Sequence, residues 1–284
     1  MTWLVVGSLG MLGTDLRSVL DEHGITHTDC DQGDIDLFDP ASLAESVSGH
    51  DVVVNCAAWT AVDAAEEQEA AAYRLNAVAP AHLARAARQA DARLLQVSTD
   101  YVFDGTATAP YAEDHPLGPR SAYGRTKGAG EWAVRAEAPE HASVVRTAWL
   151  YGAHGPCFPK TIAKAAHERG ALQVVDDQVG QPTWTRDLAR LMVRLVDADA
   201  PAGTWHATSG GQASWFDFAR AIVETAGLSA DLVSPTDSSA YQRPAPRPAY
   251  SVLGHQRLHD AGIEPIGDWA ARWAEAGASV LAGQ

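Results

Sequence analysis

The most reactive pairing in the sequence is Tyr123-Gly124-Arg125-Thr126-Lys127. On a helix, residues four apart share one face, about one turn apart. An ammonium beside a phenol stabilises the phenolate, which predicts a Tyr123 pKa lowered from about 10 toward neutrality. Such a phenol can deliver a proton to a developing alkoxide while hydride arrives from elsewhere. Lys127, Lys160 and Lys164 are the only lysines and the chain has 7 tyrosines in 284 residues, so accident is a poor source of this spacing. The plainer reading is an exposed helix pair. Upstream, Val97-Ser98-Thr99-Asp100-Tyr101-Val102-Phe103 runs off the end of an expected strand. Ligands of open α/β sheets sit beyond the carboxyl ends of the strands. A hydroxyl at Ser98 or Thr99 could donate to the carbonyl oxygen that becomes the alkoxide, or merely cap the strand end.

A second cluster could hold the hydride donor. Gly7-Ser8-Leu9-Gly10-Met11-Leu12-Gly13 follows a strand-like run and opens a helix. Glycines there let the backbone turn tightly against a pyrophosphate, which meets the free N–H groups and dipole of the helix N-terminus. Gly7, Gly10, Met11, Leu12 and Gly13 are therefore expected to line a dinucleotide, NADH or NADPH. Asp29-Cys30-Asp31 follows the second strand. Asp29 could accept from a ribose 2′-OH and repel a 2′-phosphate, leaning toward NADH; alternatively it is a solvated loop carboxylate. Asp36-Leu37 falls where an adenine could be met, or where a surface aspartate precedes a helix.

The elements that must position these residues alternate. Strands are expected at Leu4–Val6, Ile25–Thr28, Asp51–Asn55, Arg93–Val97 and Val144–Arg146, with helices at Met11–Glu22, Ser42–Val47 and Ala64–Arg88. The last should break between Asn76 and Pro80. Beyond residue 150, helices are expected at Thr161–Glu168, Asp187–Val196, Trp215–Ala226 (capped by Ser214) and Asp268–Leu281, and strands at Gln173–Asp176 and Gly203–Thr208. Ser234–Ser251, rich in Pro, Ser and Arg, reads as loop. The fold class is α/β: a Rossmann-type doubly wound parallel sheet with a smaller C-terminal α/β substrate-binding cap. Residues 1–150 should bind NAD(P), with 180–212 returning to that domain, while 151–179 and 213–284 form the cap.

Composition narrows the partners. With 46% hydrophobic residues the chain can bury a sizeable core. A net charge of -15 without a basic stripe disfavours nucleic acid and anionic membranes. Cys30, Cys56 and Cys157 form no CxxC pair, as expected of free thiols in a reducing cytoplasm. The chain opens on a strand-like run, and no apolar run approaches the roughly 20 residues of a membrane span, so a soluble cytoplasmic protein is expected. His255 and His259 share helical spacing but lack a third ligand, so no metal is expected.

Longer words carry a resemblance: Asn55-Cys56-Ala57-Ala58-Trp59-Thr60-Ala61-Val62-Asp63, Ser98-Thr99-Asp100-Tyr101-Val102-Phe103-Asp104-Gly105, Arg146-Thr147-Ala148-Trp149-Leu150-Tyr151-Gly152, Val179-Gly180-Gln181-Pro182-Thr183 and Arg247-Pro248-Ala249-Tyr250-Ser251. With the glycine turn and Tyr123–Lys127, these resemble the extended short-chain dehydrogenase/reductase family and, within it, the dTDP-4-dehydrorhamnose reductases. The resemblance implies reduction of the C4 ketone of dTDP-4-dehydro-L-rhamnose to dTDP-L-rhamnose by NADH or NADPH. It implies Thr99, Tyr123 and Lys127 as catalytic residues and Ala57, Ala58 and Trp59 beside the dinucleotide, with Asp36 and Leu37 at the adenine. Asp100, Phe103 and Trp149 would contact the sugar, and the Arg247 region the diphosphate. Some members bind Mg2+ at a dimer contact; Asp15 is a conceivable ligand, though a lone helix aspartate is usually solvated, and a homodimer is compatible with the resemblance. Trp59 replaces a commoner tyrosine, and Cys157-Phe158-Pro159 replaces an expected Asn-Phe-Val, which keeps another dTDP-4-keto-6-deoxy sugar open as substrate. A non-catalytic nucleotide-binding regulatory subunit is a further alternative. A 4,6-dehydratase is disfavoured because no glutamate follows Asp100.

Overall fold

The computed structural model describes residues 1–282. Its first half is a strand–helix alternation: β1 (Thr2–Val6), α1 (Met11–Glu22), β2 (Thr26–Cys30), α2 (Pro40–Val47), β3 (Val52–Asn55), α3 (Val62–Glu67), α4 (Glu69–Tyr73), α5 (Ala79–Gln89), β4 (Arg93–Thr99), α6 (Ala122–Glu137) and β5 (Ala142–Thr147). A sixth strand, Gly203–His206, joins the sheet next to β5, giving the order Gly203–His206, β5, β4, β3, β1, β2. Every pairing in it is parallel. Both faces of a parallel sheet are covered, which is why its strands read as near-continuous apolar runs. Trp3, Val5, Val52, Val54, Leu95 and Val145 meet α1 and the helix Thr185–Asp197 on one face. Leu4, Val6, Val53, Leu94 and Val144 meet α2, α5 and α6 on the other.

A separate core, centred on Tyr151, Trp184, Phe218 and Trp273, joins the helices Phe158–Arg169, Trp215–Thr225 and Trp269–Ala282. Parallel register aligns the carboxyl ends of the main sheet, with Val6 beside Asn55, Asn55 beside Gln96 and Thr99 beside Thr147. Among the described residues, no helix is long and apolar enough to cross a membrane.

Two stretches depart from expectation. The Ala64–Arg88 run breaks at Gln68, and Arg74–Val78 then forms a π turn before α5 begins with Pro80 in its first turn. The π turn carries the buried Asn76, whose side chain accepts from Trp59 N (2.8 Å) and donates to Trp59 O (3.1 Å) and Thr126 Oγ1 (3.1 Å). Those three bonds fix the wider turn, a form that concentrates near functional sites. The expected loop 234–251 begins instead with a strand, Val233–Thr236, paired in parallel with Leu172–Val175. Pro235 is tolerated because this is a two-stranded sheet in which every strand is an edge.

His206, at the end of the sixth strand, is fully buried. Its Nδ1 lies 2.9 Å from Gly254 O and its Nε2 3.3 Å from the Arg146 guanidinium. A carbonyl only accepts and a guanidinium only donates, so the ring is neutral with its proton on Nδ1. Burial first, then the Arg146 charge, pushes the His206 pKa down to about 3. The unfolded chain takes up this proton near pH 6.5, whereas the fold refuses it until about pH 3. The unfolded state therefore holds more protons across that window, and stability falls with falling pH. His206→Gln keeps one donor and one acceptor without titrating; its Tm should decline less than that of the wild type as pH drops from about 6.5. Parallel declines would exclude His206 as a source of acid sensitivity.

Candidate active site

The glycine turn lies flush against its neighbours. Gly7 has φ +79°, and a Cβ on it would sit 2.6 Å from Ala57 N; one on Gly13 would sit 2.2 Å from Gly7 O. Gly7 N and Ser8 N donate to Cys30 O, fastening the turn to β2. Gly10 caps α1 without a side-chain bond, so the first N–H groups of the helix face the open side of the turn. There a groove of about 950 Å3 runs past Gly7, Gly10, Asp31, Asp36, Leu37 and Ala57. It shares Gly10, Cys56 and Ala58 with a second cavity of about 520 Å3, which also takes in Met11, Leu12 and Gly13. Turn, open helix end and long groove fit a dinucleotide.

Two expected lining residues lie elsewhere. Asp29 points away from the groove, because Arg17 Nε (2.5 Å) and His27 Nδ1 (2.9 Å) take its carboxylate on the other side of β2. Asp31 is the residue in the groove, its Oδ2 accepting from Leu9 N (2.8 Å). Trp59 also lies outside: its backbone is held by Asn76 and its indole donates to Ala61 O (3.1 Å). Its ring packs against Ala65, Ala72 and Ala122, the cluster that also supports Tyr123.

The second cavity brings Thr99, Tyr123 and Lys127 together. Ser121 caps α6 by accepting from Gly124 N (3.1 Å), and Glu66 accepts from Ala122 N (2.7 Å), which fixes the turn bearing Tyr123. A Cβ on Gly124 would meet Tyr101 O at 2.2 Å, so glycine there lets α6 dock onto the end of β4. Lys127 Nζ donates to Val97 O (2.6 Å), and burial, opposed by Glu131 and Cys56, pulls its pKa down to about 8. Burial pushes the Tyr123 phenol up to about 12, with the Thr99 hydroxyl opposing and Asp100 adding to the rise. This reverses the expected lowering. The buried site penalises phenolate, and the ammonium is committed to the Val97 carbonyl.

The choice between Ser98 and Thr99 is also resolved. Ser98 Oγ donates to Glu131 Oε1 (2.6 Å), inside a buried pair with Arg146, whose Nε and Nη2 reach Glu131 at 2.9 and 2.7 Å. Thr99 Oγ1 faces Tyr123, donates to Asp100 Oδ1 (2.9 Å) and accepts from Tyr101 N (3.2 Å). Burial raises the Asp100 carboxyl to about 6 despite the neighbouring Ser251 and Thr99 hydroxyls.

The far wall of the cavity is aromatic. Trp149 adopts a left-handed φ of +47° and stacks on Trp215 with centroids 3.5 Å apart and planes 6° from parallel. A Cβ on Gly180 would lie 2.5 Å from the Trp149 ring, so glycine there makes its place. Strained backbone at a non-glycine residue persists where surrounding packing over-determines it, commonly at ligand sites. Cys157 precedes the helix Phe158–Arg169, and Phe158 packs on Trp215 at 4.4 Å.

Phe103 and Arg247 belong to a separate adjoining pocket of about 440 Å3 with Arg120. Phe103 stacks on Tyr111 at 4.3 Å beneath the Arg146 guanidinium, and Arg247 donates to Asp63 Oδ2 at 2.9 Å. Tyr101 lines both pockets and meets Tyr123 edge to face at 5.6 Å. Sequence reasoning passed over Tyr101, Asn76, Trp215 and Thr147, whose buried hydroxyl at this cavity has no hydrogen-bond partner. Tyr101 and Thr147 stood inside motifs already singled out; Asn76 and Trp215 gave no local signal. Asp15 is a buried fastening, accepting from the Thr185 hydroxyl with burial raising its pKa. His255 bonds Thr208 (2.8 Å). Among the described residues no cluster of three or more His, Cys, Asp or Glu could hold a metal.

Comparison with known proteins gives this geometry a family. Residues 1–281 match the model of the RmlD substrate binding domain. The chain is 48% identical to a dTDP-4-dehydrorhamnose reductase of Streptomyces griseus, covering 96% of this chain and 92% of that protein. It is 45% identical to a "probable dTDP-4,6-dihydroxy-2-methyloxan-3-one 4-ketoreductase" of Streptomyces antibioticus, covering 100% and 97%. The solved dTDP-4-dehydrorhamnose reductase of Bacillus anthracis, in complex with NADP, superposes with a TM-score of 0.92 at 32% identity, covering 97% and 98%. With matches of this depth along nearly its whole length, the chain belongs to the dTDP-4-dehydrorhamnose reductase family and is an oxidoreductase of the dTDP-4-keto-sugar type.

Proposed function

We propose that the chain reduces the C4 ketone of dTDP-4-dehydro-L-rhamnose to dTDP-L-rhamnose, using a reduced nicotinamide dinucleotide. The observation that carries this reading is the half-buried Tyr123 phenol, facing Thr99 and sharing one cavity with Lys127 at the sheet's carboxyl edge. The dihydronicotinamide, when bound, supplies hydride to the sugar carbon. Tyr123 carries its proton throughout the neutral range and gives it to the C4 oxygen. Thr99, fixed by Asp100 and Tyr101 N, orients that oxygen against Tyr123. Lys127 has three donors, one of them spent on Val97 O; the other two are free for the hydroxyls of the nicotinamide ribose. Gly7, Gly10, Met11, Leu12 and Gly13 receive the pyrophosphate, with Ala57 and Ala58 on the groove floor and Asp36 and Leu37 at the adenine. Asp100 and Trp149 meet the sugar, while Phe103 and Arg247 meet the nucleotide diphosphate side.

A second reading keeps the chemistry and changes the sugar to another dTDP-4-keto-6-deoxy hexose. Cys157-Phe158-Pro159 favours it, since Phe158 sets the position of Trp215 and through it Trp149. The intact Thr99–Tyr123–Lys127 set speaks against a non-catalytic subunit.

Supplying dTDP-4-dehydro-L-rhamnose and identifying the product decides between the sugars: dTDP-L-rhamnose at the highest turnover supports the first reading, and faster turnover of another 4-keto sugar supports the second. Tyr123→Phe should lower kcat about 100-fold or more with cofactor affinity little changed. A near-normal kcat would remove Tyr123 from the acid role. Lys127, with a pKa lowered to about 8, loses its charge as pH rises through that value, whereas Tyr123 keeps its proton until about 12. Cofactor affinity should therefore weaken with a midpoint near pH 8, and Lys127→Met should abolish that dependence; an unchanged profile in the variant would assign the midpoint to another group.

A further inference from the structure

We infer that this chain selects NADH over NADPH, and that Asp31 and Asp34 at the ribose end of the groove make the selection. The inference rests on the dinucleotide reading above. Asp31, Asp34, Asp36 and Asp39 all line the 950 Å3 groove, and no lysine or arginine lines it. Asp31 stands directly beside the glycine turn, accepting from Leu9 N through Oδ2 (2.8 Å) and from Gln32 N through Oδ1 (2.7 Å). A carboxylate oxygen has two lone-pair sites, so each still has one for the vicinal hydroxyls of a ribose. Asp34 locks the same corner by accepting from Asp31 N (2.9 Å).

The other two carboxylates hold backbone. Asp36 accepts from Phe38 N (2.9 Å), and Asp39 caps α2. Two cations stand nearby, and neither of them lines the groove. Arg17 is paired with Asp29, outside the groove, and Arg74 lies over the Phe38 ring at 4.1 Å. A 2′-phosphate would bring close to two further negative charges against four carboxylates with no counter-charge among the residues that line the groove, while a 2′-hydroxyl finds acceptors already aimed.

Titration of the purified chain with NADH and NADPH, followed by the fluorescence of the reduced nicotinamide without sugar substrate, tests this. NADH should bind about tenfold or more tightly than NADPH at low ionic strength, and the ratio should shrink at high salt as the carboxylates are screened. Asp31→Asn combined with Asp34→Asn should tighten NADPH about threefold or more without improving NADH. Should that variant fail to fold, the salt dependence of the wild-type ratio still decides. NADPH binding as tightly as NADH overturns the preference. A ratio indifferent to salt overturns its assignment to these carboxylates. Failure of both nucleotides to bind overturns the dinucleotide reading itself, and the preference falls with it.

Discussion

The site depends on one buried ion pair. Glu131 is fully buried and Arg146 almost so, and the two meet through paired hydrogen bonds. Glu131 lies on α6 one turn beyond Lys127, and Arg146 lies on β5 next to the residue that pairs with Thr99. Ser98 adds a third bond to the pair, from β4, and the Arg146 guanidinium lies over Phe103 and donates to Glu113 O and His206. One junction therefore sets how α6, β4 and β5 converge, and with them the separation of Thr99 from Tyr123. Removing Glu131 would leave the Arg146 guanidinium as an uncompensated buried charge, a loss of about 3–5 kcal/mol, whereas Glu131 itself is also paired with Arg135 Nη2 (2.6 Å). The pair is costly to desolvate, and in exchange it leaves the α6 helix a narrow choice of positions along the sheet.

What surrounds Tyr123 is equally constrained. Lys127 is buried and Tyr123 half-buried, and desolvation drives their pKa values in opposite directions, toward about 8 and about 12. Each neutral form is thus favoured relative to water, the condition of a site that holds a proton on a phenol until an oxyanion needs it. The aromatic wall is rigid for a different reason. Trp149 is held at a left-handed φ by the Trp215 stack on one side and the bare backbone of Gly180 on the other.

Much of this was legible from residue order. The glycine turn, the strand–helix alternation and Tyr123–Lys127 are local signals, because each depends on spacings within one or two elements. Asp29 misled because the strand's end was not fixed by the residue order: Asp29 lies inside β2, held by Arg17, whereas Asp31 lies just past Cys30, where the chain leaves the strand and enters the groove. Trp59 misled because its orientation is decided by Asn76, 17 residues away on a π turn that no periodicity announces. The lowered Tyr123 pKa was expected from spacing alone, whereas desolvation, a consequence of packing, outweighs the neighbouring groups and raises it. Partners across the sheet, such as Glu131 and Arg146, have no signature in order or spacing.

The two substrate-side pockets have different owners in the chain. The catalytic cavity is walled mainly by strand ends and α6, while the Arg247 pocket is closed by the segment from Pro246 to Ala249. Among the described residues, Tyr101 is the one both have in common. Substitutions in the 246–249 segment would therefore reshape the second pocket without touching Thr99, Tyr123 or Lys127. A change at Tyr101 is not separable in this way, because the ring that borders the second pocket also rests edge-on against Tyr123. Among the described residues the two pockets are thus independent of each other except through one aromatic ring.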